Sequence, residues 1–168
     1  MRKLSLLLII LSLSLSACNK INTIKPETKN LSFTAVAMWN GTEYVFTALT
    51  DSESHLNLTQ NSPKENENLK FSFNGDNVTF LYLELEKEYD LNSLSTNSPV
   101  RILGETFNAL SNNEISAQTE NDRYFLPIEI DKQTFNVYIS ETGLPTEIAD
   151  QTRDNTIVFK GISILNSN

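Results

Sequence analysis

From Ser32 onward the chain is written in period two. Apolar and polar residues alternate in short runs, and only an extended strand turns a side chain to the opposite face at every step. Residues 32–39 and 42–50 flank Asn40-Gly41, a pair suited to the left-handed positions of a tight hairpin. Residues 54–59 put Leu56 and Leu58 on one face, with His55, Asn57 and Thr59 on the other. A polar loop over 60–68 leads to 69–73, where Leu69, Phe71 and Phe73 share a face. Residues 77–85 carry Val78, Phe80 and Tyr82 on one side and Leu81, Leu83 and Leu85 on the other. A strand apolar on both faces is expected to be covered on both. Further runs follow at 123–130, 133–140, 146–149 and 155–165, with Pro127 indicating an edge or a bulge. Periodicity alone gives roughly nine or ten strands.

One segment breaks the pattern. Ser98 suits an N-cap and Pro99 the first helical position. Val100, Leu103, Phe107 and Leu110 then fall on one stripe, so the spacing predicts a helix over 99–110, stopped by Asn112-Asn113. Gly104 lies inside it, where glycine costs about 1 kcal/mol against alanine. So short a helix must lay its stripe on the sheet. The expected fold class is mainly β (α+β): a strongly curved antiparallel sheet with one helix, inserted after the fifth strand, packed on its concave face.

The chain has 168 residues, 39% of them hydrophobic and 20% charged, which suits one packed domain and excludes wholesale disorder. Three segments are expected. Residues 1–17 form a cleaved signal peptide, 18–31 a tether, and 32–165 the domain. Met1-Arg2-Lys3 precedes an uncharged run over 4–17. As a helix that run would reach only about 21 Å, short of a bilayer's hydrocarbon core. It exits through Leu15-Ser16-Ala17-Cys18, which resembles the lipobox of bacterial lipoproteins. The resemblance implies a diacylglyceryl group on the Cys18 thiol and cleavage just before it. Two or more acyl chains anchor stably where one only visits. The alternative is an ordinary signal peptide with an incidental cysteine. The expected place is the cell envelope, on the extracytoplasmic face of a bacterial membrane, with the membrane as partner through the lipid. Losing Arg2 and Lys3 from the 13 basic residues would leave 11 against 21 acidic ones. Such a surface repels nucleic acid and anionic headgroups.

Catalytic options are few. The chain has a single His and a single Cys, so paired-cysteine zinc sites and His-Glu-x-x-His are out of reach. No Gly-x-Ser-x-Gly occurs, and five scattered glycines make no phosphate cradle. No enzyme, cofactor or metal is expected. His55 reads as a solvated strand side chain. Glu84, Glu86 and Glu88, spaced by two, would share a face. They could form a weak cation site, serve as acid and nucleophile in a glycosidase-like pair, or keep an edge strand soluble. Asp150 and Asp154 read as solvated turn residues.

The aromatic set remains: Phe46, Phe71, Phe73, Phe80, Tyr82 and Phe135 on strands, with Leu103, Phe107 and Leu110 on the helix stripe. They are either plain core or the lining of a hollow between sheet and helix that takes acyl chains. The run from Phe71 through Gly75-Asp76 to Phe80, the helix, and Ile139 through Thr142-Gly143-Leu144-Pro145 to Ile148 resemble the LolA/LppX superfamily. That resemblance covers about residues 32 to 165 and implies a half-barrel with helix cover over an apolar cavity. It implies a non-catalytic lipoprotein binding a lipid, an acyl chain or a lipidated partner, with the helix moving aside to let a chain onto the sheet. The alternative is an interaction or envelope-sensor accessory module with a solid core and no ligand.

Overall fold

The structure, a computed structural model, describes residues 22–111, 115–120 and 123–165. The first meander comprises β1 (Asn22–Ile24), β2 (Leu31–Trp39), β3 (Thr42–Thr50), β4 (Leu56–Ser62), β5 (Lys70–Asn74), β6 (Asn77–Tyr82) and β7 (Leu85–Asp90). α1 (Pro99–Ser111), the one α-helix among the described residues, follows, and then β8 (Ile115–Glu120), β9 (Arg123–Ile130), β10 (Gln133–Ile139), β11 (Pro145–Asp150) and β12 (Thr156–Ile164). They form one open, curled sheet in the order β1-β8-β9-β10-β11-β12-β2-β3-β4-β5-β6-β7, every pair antiparallel. The mainly β class, with one α-helix among the described residues, therefore stands.

The topology dictates what the helix does. β7 is one edge and β8 lies next to the other, so the connection between them must cross the sheet. It crosses with its apolar stripe down. Phe107 stacks on Phe33 of β2 at 5.4 Å and meets Phe159 of β12 edge-on at 6.1 Å. Leu103, Phe107 and Leu110 join Phe46, Phe73 and Phe135 in one continuous core. Gly104 now has a reason. A Cβ there would lie 2.4 Å from the Phe73 ring, so only glycine lets the helix sit so low on β5.

Several expectations are corrected. The strand expected over 77–85 is a hairpin: Tyr82 pairs with Leu85, and Leu83 takes a left-handed φ of 56° in the two-residue turn. Leucine carries no turn signal, so the break was invisible in the pattern. The two-sided cover is absent as well, since Leu83 is 82% exposed and Leu85 76%. With that split and with β1 added ahead of the expected first strand, the helix follows the seventh strand and not the fifth. β4 begins at Leu56 and runs to Ser62, so part of the expected polar loop is strand. The expected tether is, from Asn22 on, part of the fold. β1 pairs with β8, Thr28 is buried with its hydroxyl 2.9 Å from that of Ser54, and Glu27 N–H donates to the Gly143 carbonyl at 2.9 Å. Pro127 sits where β9 has a partner on one side only, beyond its pairing with β8.

Candidate functional site

The alternation Leu56, Leu58 continues to Gln60, which places a carboxamide on the sheet's inner face. Gln60 lies opposite Phe46 of β3, next to a bulge between Val45 and Phe46, and exchanges backbone hydrogen bonds with the chain at Asn68 and Leu69. One row further, Leu58, Phe71 and Phe80 stand side by side across β4, β5 and β6. Their rings interlock: Phe71 and Phe80 edge-on at 4.9 Å, Phe80 and Tyr89 at 5.1 Å, Tyr44 stacked on Phe46 at 6.4 Å.

Above this patch the first turn of α1 and the loop before it leave a gap. The resulting cleft measures about 380 Å³. Its sheet side is Tyr44, Gln60, Leu69, Phe71 and Phe80, with Asn66 from the β4–β5 connection. Its roof is Leu94, Ser95, Asn97, Ser98, Pro99 and Val100. Arg101 fixes that roof. The buried guanidinium donates to the Leu94 carbonyl at 2.7 Å and pairs with Asp131 at 3.1 Å and Glu105 at 3.5 Å. Sequence reasoning passed over Arg101 because an arginine on a helix usually points to water.

The lining is apolar with a few convergent polar groups, the usual makeup of a small-molecule pocket, and its size is at the lower end of that class. No Asp, Glu, Lys or Arg lines it, in a chain with net charge -8. Gln60 is 3% exposed, and its Nε2 has no hydrogen-bond partner among the described residues.

Of the nine apolar candidates, Phe71 and Phe80 line this cleft. Phe46, Phe73, Leu103, Phe107, Leu110 and Phe135 are buried core. Tyr82 is 43% exposed near the β6–β7 turn, away from the lining. Leu103, Phe107 and Leu110 of the α1 stripe are consumed by packing and only Val100 reaches the cleft, which therefore lies at the first turn of the helix and not beneath its middle. Cys18 lies outside the described residues.

The polar candidates resolve differently. Glu84 occupies the β6–β7 turn, and Glu86 and Glu88 lie on the exposed edge strand, so the three do not form one strand face. Among the described residues no group of three or more His, Cys, Asp and Glu could hold a metal ion. Asp150 is buried and organises the β11–β12 turn, accepting from Thr152 Oγ1 at 3.0 Å, Asp154 N at 3.1 Å and Asn155 Nδ2 at 2.8 Å. His55 is not on a strand but in the β3–β4 turn, its Nδ1 2.9 Å from Asp51 Oδ2.

Burial works to raise the Asp51 carboxyl. Hydrogen bonds from the backbone N–H and ring of His55 and the backbone N–H of Glu53, with the His55 charge, outweigh it and hold the group below its ordinary value. A carboxyl lowered in the folded state binds its proton more readily unfolded. Its stabilisation is therefore present above the unfolded carboxylate range and is lost as pH falls through the lowered folded value. Thermal melts should show a smaller loss of Tm between pH 7 and pH 3 in Asp51→Asn than in the parent. An equal loss in both would remove Asp51 from the acid response.

No protein-family model matches the chain, and no curated protein sequence matches it. Solved structures do. An uncharacterized conserved protein from Thermus thermophilus is similar, with a TM-score of 0.52 over 84% of this chain and 82% of that one. The two are 10% identical. The likeness shows the fold alone. A LolA superfamily protein from Nitrosomonas europaea aligns with a TM-score of 0.44 and 8% identity, over 86% of this chain and 90% of that one.

Proposed function

We propose that this chain is a non-catalytic lipoprotein of LolA-like architecture, anchored through Cys18 to the extracytoplasmic face of a bacterial membrane, and that it binds one apolar ligand in the cleft beside α1. The observation that carries the reading is the cleft: buried Phe71 and half-buried Tyr44 and Phe80 form an aromatic floor over which the start of α1 and the loop before it leave about 380 Å³. Binding proceeds by burial. Roughly 300 Å² of acyl chain removed from water contributes about 7 to 8 kcal/mol before ordering costs. The volume suits part of a single chain. The helix need not leave the sheet, since of its stripe only Val100, in the first turn, lines the cleft, while Leu103, Phe107 and Leu110 stay packed in the core.

The test is organic extraction of full-length protein purified from native membranes, followed by mass spectrometry, with Cys18→Ser alongside. The expected result is a non-covalently held single-chain lipid, and an acylated N-terminal peptide that Cys18→Ser lacks. Protein free of any such lipid contradicts the ligand. A mature Cys18→Ser that still partitions wholly with membranes contradicts the anchor.

One observation favours the second reading, a docking module. The β6–β7 turn projects Leu83 and Leu85 into solvent on an edge strand, an arrangement that suits a protein partner.

A further inference from the structure

The cleft contains one group that apolar burial does not explain. Gln60 is almost wholly buried, lines the cleft, and leaves its Nε2 without a partner among the described residues. Buried donors are nearly always satisfied, and an orphan is commonly a place where a ligand or water belongs. A second donor source faces the same space. Ser98, Pro99 and Val100, the start of a helix with no acidic residue in its first turn, form part of the roof. The Ser98 N–H already donates to the Ser95 carbonyl and Pro99 has none, so this end offers the Val100 N–H and the partial positive charge of a helix N-terminus. Donors and apolar rings with no Asp, Glu, Lys or Arg in the lining select a ligand with an acceptor at one end and a hydrocarbon tail.

We infer that the cleft holds a single-chain carboxylate, its head between the Gln60 carboxamide and the first turn of α1 and its tail against Phe71 and Phe80. This rests on the apolar-ligand reading and adds the head group that reading leaves open. A free fatty acid and the ester carbonyl of a larger lipid share acceptor chemistry, and the helix dipole favours the charged one.

Titration of the full-length protein with laurate, methyl laurate and dodecyltrimethylammonium separates these. Laurate is expected to bind about tenfold tighter than either of the others, one helix-dipole and one charge-assisted contact apart. Gln60→Leu is expected to weaken laurate about tenfold while keeping or raising Tm, because it removes an unsatisfied buried amide. A purely structural glutamine would lower Tm and affinity together. Gln60→Glu, the same shape with the donor amide replaced by an anionic acceptor that repels a carboxylate, should lose laurate still further; it also serves if the leucine variant folds poorly. Equal binding of laurate and its methyl ester overturns the carboxylate assignment, and unchanged laurate affinity in both Gln60 variants overturns the role of Gln60. Failure of all three probes on the parent protein overturns the apolar-ligand reading itself.

Discussion

Phe107→Ala should destabilise the fold by about 3 to 5 kcal/mol, the range for deleting a fully buried aromatic ring. Phe107 is 2% exposed, stacked on Phe33 and set edge-on to Phe159, and the first of these contacts ties the crossing helix to β2 at the centre of the sheet. Aromatic pairs add to plain burial, and the ring leaves a cavity that a sheet on one side and a helix on the other cannot easily close. For a domain of this size the loss corresponds to a Tm lower by roughly 10 °C. Denaturant unfolding of the full-length protein measures it. The experiment also decides between two meanings of the residue. A side chain lining a hollow would cost little on truncation and much in ligand affinity, so a stability loss below about 1 kcal/mol would return Phe107 to the ligand's side of the account.

Gly143→Ala should be nearly as severe, by about 2 to 4 kcal/mol from left-handed strain and overpacking together. Gly143 has φ +84°, and a Cβ there would lie 2.4 Å from the Lys25 carbonyl oxygen. The backbone cannot yield without breaking the hydrogen bond from Glu27 N–H. The damage should be directional, loosening residues 22–30 first because this turn is what they dock on. Tryptic cleavage after Lys29 is the readout, expected to accelerate about tenfold as local opening becomes cheaper. Unchanged cleavage would mean that this segment is held elsewhere.

Much of the architecture was legible because period two is hard to counterfeit. Asn40-Gly41 adopts positive φ at both residues, and Trp39 pairs with Thr42 as a two-residue hairpin requires. The helix begins at Pro99 as capping logic indicates. What escaped has specific causes. Leu83-Glu84 turns without a turn residue, so two strands read as one. Residues 22–31 look like a polar linker, yet Pro26, Thr28 and Leu31 are buried, and tertiary contacts hold them: the pairing of β1 with β8, Thr28 with Ser54, and Glu27 on Gly143. Gly104 reads as a helix weakness and is the point of closest approach to Phe73.

The candidate site was legible in part and for an instructive reason. Phe71 and Phe80 were singled out as aromatics on an inner face, but the same criterion selects core residues just as well. Alternation cannot say which inward rings the helix will cover, because that depends on where a crossing connection lands. Gln60 was missed although Leu56, Leu58 and Gln60 are evenly spaced, since a glutamine beside Asn61 and Ser62 reads as loop. Extending the period through one polar residue would have found it.

Calorimetric titration of laurate into the full-length parent and into Leu69→Trp tests the central claim. Leu69 is half-buried in the lining, so an indole there fills the cleft without entering the helix–sheet core. The account predicts saturable one-site binding to the parent, about micromolar or weaker, with a negative heat-capacity change. It predicts affinity at least about tenfold lower in the plugged variant at unchanged Tm. Equal binding by parent and plugged variant would contradict it.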